Sequence, residues 1–150
     1  MLLYYLLFCF LATVCFAIVF NVPRSEFLTC GFVGTISWFV SFVFRDGGSL
    51  FLGIFLAACC VTLLSRVFAR LRRSPLNLYL VPGIIPLVPG GAIYNTMYAV
   101  ITGEQTSAVL IGINTLQTAG SICLGILTIF ALPGWLFDEV KKLPKISARL

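Results

Sequence analysis

Histidine is absent from this 150-residue chain, and charge is scarce, with ten Lys/Arg against five Asp/Glu. The first absence removes the side chain that most often carries acid–base work near neutral pH and most often binds zinc. The second argues against a water-soluble globule. Sixty percent of the residues are apolar, against about 45–50% in ordinary soluble domains. A single soluble core of this length cannot hide that much apolar surface. Low charge with high apolarity also excludes intrinsic disorder. No CxxC pair, phosphate loop or dinucleotide fingerprint occurs, which argues against redox, nucleotide-driven and nucleotide-binding chemistry. No nucleophile stands beside a base, so no enzyme activity is expected. Neither a cofactor nor a metal site is expected.

Six cysteines are present (Cys9, Cys15, Cys30, Cys59, Cys60 and Cys123), all inside apolar runs. They read as small, soft packing residues. The net charge of +5 would suggest nucleic acid in a soluble chain. Here the basic residues gather in two short segments beside apolar runs, so they report membrane topology, and no nucleic-acid partner is expected.

The charges divide the chain into five uncharged stretches, each near the ~20 residues that cross a bilayer. The expected fold is an all-α integral membrane protein of about five transmembrane helices. It forms a single membrane domain over 1–150, with spans at about 2–20, 27–44, 47–65, 75–103 and 106–132. Met1–Phe8 carries no positive charge, so the first stretch reads as a span and not a secretory signal. With five crossings and the N-terminus outside, Arg24, Arg66, Arg70, Arg72, Arg73, Lys141, Lys142, Lys145 and Arg149 fall inside, and Arg45 alone falls outside. A fourth stretch that dipped in and returned would even the count, so the positive-inside bias favours five crossings. Ser74-Pro75 is expected to cap the fourth span. Glu26 suits the dipole at the start of the second. Pro133-Gly134 ends the fifth, Trp135 sits at the interface, and a basic tail (135–150) lies in the cytosol.

In lipid, helices associate through small residues and polar contacts. Cys30, Gly34, Ser37 and Ser41 share one face of the second span, and Gly53, Ala57 and Cys60 one face of the third. Both stripes predict close helix packing. The fifth span carries a polar stripe, Asn114, Gln117, Thr118 and Ser121, at i, i+3, i+4 and i+7. Amides are costly in hydrocarbon, so the stripe must face protein or water. It reads either as interhelical hydrogen-bond glue or as the lining of a solute path.

The fourth stretch holds Pro82, Pro86 and Pro89 together with Gly83, Gly90 and Gly91. Each proline removes a donor and disfavours helix in the residue before it. The whole Pro82–Gly91 segment is therefore expected to open, leaving half-helices Pro75–Val81 and Ala92–Gly103. Broken helices near the midplane are where many transporters bind substrate. The second half-helix would point its positive end into the bilayer, a setting suited to a carboxylate. Tyr94, Asn95, Thr96 and Tyr98 follow with hydroxyl and amide groups. A purely structural kink is the competing reading. No carboxylate lies mid-span: Glu26, Asp46 and Glu104 all sit near span ends.

The segment VPGIIPLVPGGAIYNTMYAV, Val81–Val100, resembles the signature of the C-terminal half of the threonine/serine exporter family. NVPRSEF at Asn21–Phe27 and the polar fifth span are similar too. The resemblance implies a multi-pass protein of a prokaryotic cell (inner) membrane, surrounded by membrane lipid. It implies export of small metabolites, hydroxy amino acids or, in two-subunit members, small dicarboxylates. Many members fuse two halves. Only the second is present here, which implies a second membrane subunit carrying the first, a homo-oligomer, or both. The substrate-binding candidates are Pro82, Gly83, Pro86, Pro89, Gly90, Gly91, Tyr94, Asn95, Asn114, Gln117, Thr118 and Ser121. The alternative is a non-transporting membrane scaffold or assembly subunit.

Overall fold

The computed structural model describes residues 2–45 and 50–133, and among them there is no strand. Six α-helices follow one another: α1 (Leu2–Val19), α2 (Phe27–Arg45), α3 (Leu50–Arg72), α4 (Asn77–Ile84), α5 (Gly90–Ile101) and α6 (Gln105–Ala131). Short 3₁₀ turns at Arg24–Glu26 and Ile85–Leu87 precede α2 and follow α4. Four helices are long and apolar enough to cross a membrane, and the pair Asn77–Leu87 with Gly90–Ile101, bent by 51°, passes the same test when taken together. The chain is thus an all-α membrane protein with four to five candidate spans, and its fourth apolar stretch is bent in two. Asp46, Trp135 and the basic tail lie outside the described residues.

Helix α2 sits between α1, α3 and α4, and α6 packs on α3 and α5. The small-residue faces explain how closely these helices approach. Gly34 closes on the Thr13 side chain of α1. A Cβ at Gly125 of α6 would stand 2.7 Å from both Ala58 Cβ and the Phe55 carbonyl oxygen of α3. Cys30, Ser37 and Ala57 are fully buried.

Three helix ends share one device. Val22 N–H donates to the Ala17 carbonyl, Ser74 N–H to Ala69, and Glu104 N–H to Ala99. The residue before each donor is left-handed: Asn21 (φ 54°), Arg73 (φ 52°) and Gly103 (φ 80°). This is the Schellman ending, which satisfies carbonyls that the helix leaves open. It also corrects the expectation for Ser74. That residue closes α3 instead of capping α4, which starts at Asn77 with no side-chain cap.

Helix α3 runs through Arg66 to Arg72, past the predicted end of the third span at residue 65. Arg66 donates to the carbonyls of Ile129 and Leu132, and its guanidinium lies 5.9 Å from the centre of the Phe130 ring. The open carbonyls and negative dipole end of α6 attract a cation there. The charge clamps α3 to α6 and does not end the helix.

The fourth span opens less than expected. Helix α4 passes straight through Pro82, Ile85 keeps helical geometry (φ −52°, ψ −42°) although Pro86 follows, and only Val88–Pro89 leaves the helix. The small polar face of α2 supplies the reason. Pro82 withdraws the donor that the Leu78 carbonyl needs, and Cys30 Sγ donates to that carbonyl at 3.3 Å. Pro86 offers no N–H to the Gly83 carbonyl, and Ser37 Oγ donates to it at 3.1 Å. Neighbouring side chains commonly rescue proline-freed carbonyls in membranes in this way.

Candidate functional site

The break is compact. Val88 is extended (φ −65°, ψ 127°) and Pro89 forms an inverse γ-turn (φ −78°, ψ 56°) in which Gly90 N–H donates to the Val88 carbonyl at 2.8 Å. The helical segments on either side are each about 18 Å long at helical rises per residue, so the break divides the bent pair into equal halves. Helix α5 begins at Gly90 without a side-chain cap. Its first-turn amides therefore lack helical acceptors, and the positive dipole end is bare. Added Cβ atoms at Gly90 and Gly91 would meet nothing within 4 Å, so a solute can approach the backbone closely.

Helix α6 runs antiparallel to α5 after the tight Gly103–Glu104 connection, and Thr96 touches Gly112 across the pair. Counting from that connection, Gln117 lies about 18 Å along α6 and Gly90 about 18 Å back along α5. The polar stripe and the start of α5 therefore share one depth. Asn114 and Gln117 are exposed, and their amides have no hydrogen-bond partner among the described residues. Thr118 is buried and donates to the Asn114 carbonyl, while Ser121 donates to the Gln117 carbonyl. Those two hydroxyls are thus satisfied within the helix, as Ser and Thr often are. The amides are the unspent groups.

The twelve candidates separate into groups. Pro82 and Gly83 are buried between α2 and α3, where a Cβ on Gly83 would come within 2.6 Å of Val61 Cγ2. Pro86 lines an apolar groove with Phe8, Thr13 and Trp38, away from the start of α5. Pro89, Gly90 and Gly91 form the break itself. Tyr94 is exposed and stacks on Tyr98 with ring centres 6.3 Å apart. Helical phase puts both rings opposite the Thr96 face that meets α6, with Asn95 at the flank. Asn114, Gln117 and Ser121 lie on a side of α6 turned away from α5. The start of α5 and the amide stripe of α6 therefore share a depth but face different sides of the pair, so no wall joins them. The groove between α5 and α6, lined by Ile93, Met97, Thr115 and Leu116 among others, is wholly apolar.

One constellation escaped the sequence reading. Glu26 is buried, pairs with Arg72 at 2.9 Å, and accepts a hydrogen bond from the fully buried Tyr79 hydroxyl at 2.8 Å. Arg72 also donates to the Ser25 carbonyl at 3.4 Å. The three side chains tie the entry to α2, the end of α3 and the first half of the broken span. The available signal was the lone carboxylate at Glu26 and the arginines ending α3, but their pairing spans 46 residues and leaves no local pattern.

Neither a comparison with curated proteins nor one with solved structures returned a match. The family model described as "Threonine/Serine exporter, ThrE" matches residues 5–131. That match covers all six helices but the first three residues of α1, with the broken fourth span and the polar stripe inside it. The family consists of transporters, which act in a membrane on small-molecule substrates. The chain therefore belongs to the threonine/serine exporter family.

Proposed function

We propose that this chain, one membrane domain over 1–150, is a subunit of a secondary transporter that exports small carboxylate-bearing metabolites. Threonine- and serine-type amino acids or small dicarboxylates are the substrate class. The observation that carries the reading is the pair of unpartnered amides, Asn114 and Gln117, at the depth where α5 exposes its bare N-terminal end. The dipole end and the open Gly91 and Ala92 amides suit a carboxylate, with Gly90 leaving room for its approach. The amides suit hydroxyl or amino groups, since each both donates and accepts. Pro89, Tyr94 and Asn95 border this surface, whereas Pro82, Gly83, Pro86 and Thr118 act by shaping the helices. A second membrane subunit bearing the other half of the family fold, or another copy of this chain, supplies the missing wall. The positive-charge bias supports an N-terminus outside and a C-terminus in the cytosol, and the family resemblance supports the inner membrane of a prokaryotic cell.

Gly91→Leu tests the reading. The site is open, so the variant is expected to fold and to reach the membrane in normal amounts. Its side chain would occupy the approach to the α5 amides, so efflux of preloaded threonine, serine or a small dicarboxylate is expected to fall to the level of a deletion strain. Normal efflux from a normally assembled Gly91→Leu protein would favour the scaffold role.

A further inference from the structure

Where α1 ends and α4 begins, a groove of about 200 Å³ is lined by Phe20, Val22, Pro75, Asn77, Leu78 and Val81. It is apolar apart from Asn77, and Phe20 and Val81 are exposed along it. Two arginines flank its end. Arg24 is two residues beyond Val22, and Arg73 is two residues before Pro75. Both are exposed, and neither has an acidic partner among the described residues. The two segments that carry them are held together, because Arg72 bonds both Glu26 and the Ser25 carbonyl. The local carboxylate, Glu26, is turned inward and already paired, so it does not neutralise the rim.

Arg73 ends α3 with a φ of 52°, a conformation that suits glycine and costs other residues about 1–2 kcal/mol. We propose that this corner binds one anionic phospholipid, with its phosphate between Arg24 and Arg73 and an acyl chain lying in the groove against Phe20, Leu78 and Val81. An apolar slot opening beside two uncompensated cations at a span end matches the two halves of such a lipid. The bound lipid would brace the first half of the broken span against α1.

The protein in nanodiscs of phosphatidylcholine, with or without phosphatidylglycerol, provides the test. Native mass spectrometry is expected to show one phosphatidylglycerol retained per chain, and the thermal midpoint is expected to rise when that lipid is present. Arg24→Gln and Arg73→Gln are each expected to weaken retention about fivefold, the value of one cation near an anionic headgroup. Val81→Phe, which fills the groove and keeps both charges, is expected to weaken it as well. Arg73→Gly separates binding from folding: it relieves the strained backbone and is expected to raise stability in phosphatidylcholine, yet to weaken phosphatidylglycerol retention as much as Arg73→Gln does. Equal retention by wild type and both arginine variants would overturn the proposal. So would a thermal response reproduced by inorganic phosphate in phosphatidylcholine alone, which would mean that the site takes the ion and not the lipid.

Discussion

Replacing Asn114 and Gln117 together by leucine is expected to abolish export while leaving the bundle intact. Neither amide bonds to the rest of the described chain, and both stand exposed, so their loss removes no internal contact. In hydrocarbon the change even removes a cost, because an unpartnered amide among lipid tails is unfavourable by several kcal/mol. Helicity and thermal midpoint in detergent are therefore expected to hold or rise slightly. Transport is different. A hydrogen bond to a charged ligand is worth about 1.5–3 kcal/mol, so losing two such bonds is expected to slow efflux by more than about a hundredfold, to background. Efflux assays on cells with matched membrane levels of the protein check this. Loss of assembly with a second subunit, without loss of folding, would instead assign the amides to an interface.

Glu26→Ala is expected to act on stability and to destabilise the fold by about 3 kcal/mol. Removing one member of a buried ion pair strands the other, and Tyr79, with no exposed surface, would keep a hydroxyl without an acceptor. Arg72 retains 19% side-chain exposure, so its charge reaches some water, which places the cost at the lower end of the range for buried pairs. Tyr79→Phe removes one buried bond to a carboxylate and is expected to cost about 2 kcal/mol. Thermal or denaturant unfolding in micelles reads both. Because the cluster joins α2, α3 and α4, the double variant is expected to be less destabilised than the sum of the singles. Additive losses would show that the three groups do not act together.

Much of the architecture is written locally. Charge spacing marks the helices, and the small-residue faces of α2 and α3 mark where they approach. The break was visible in its prolines, but its extent was not. Three prolines predict an opening of ten residues only if nothing rescues the freed carbonyls. Cys30 and Ser37 rescue two of them from another helix, at separations of 48 and 46 residues, and so Pro82 and Pro86 stay within the helix and its 3₁₀ extension. Arg66 was hidden by the same limitation. A charge after an apolar run reads as a span end, and only the fold reveals the α6 carbonyls that receive it. The site followed suit. The periodicity of α6 exposed its amide stripe, and the half-helix geometry exposed the bare end of α5. Which side of α6 each would occupy depends on packing and carries no local signature.

The central claim is that the side of α6 bearing Gln117 meets water in the assembled protein. Single cysteines at Gln117 and at the adjacent, strongly exposed Leu116, challenged in native membranes with a charged, membrane-impermeant maleimide admitted to both faces, decide it against the parent chain as background. The account predicts modification at position 117, slowed by excess substrate, and none at position 116. Inert cysteines at both positions, in a protein that still exports, would show that the stripe is sealed in a dry interface and would contradict the account.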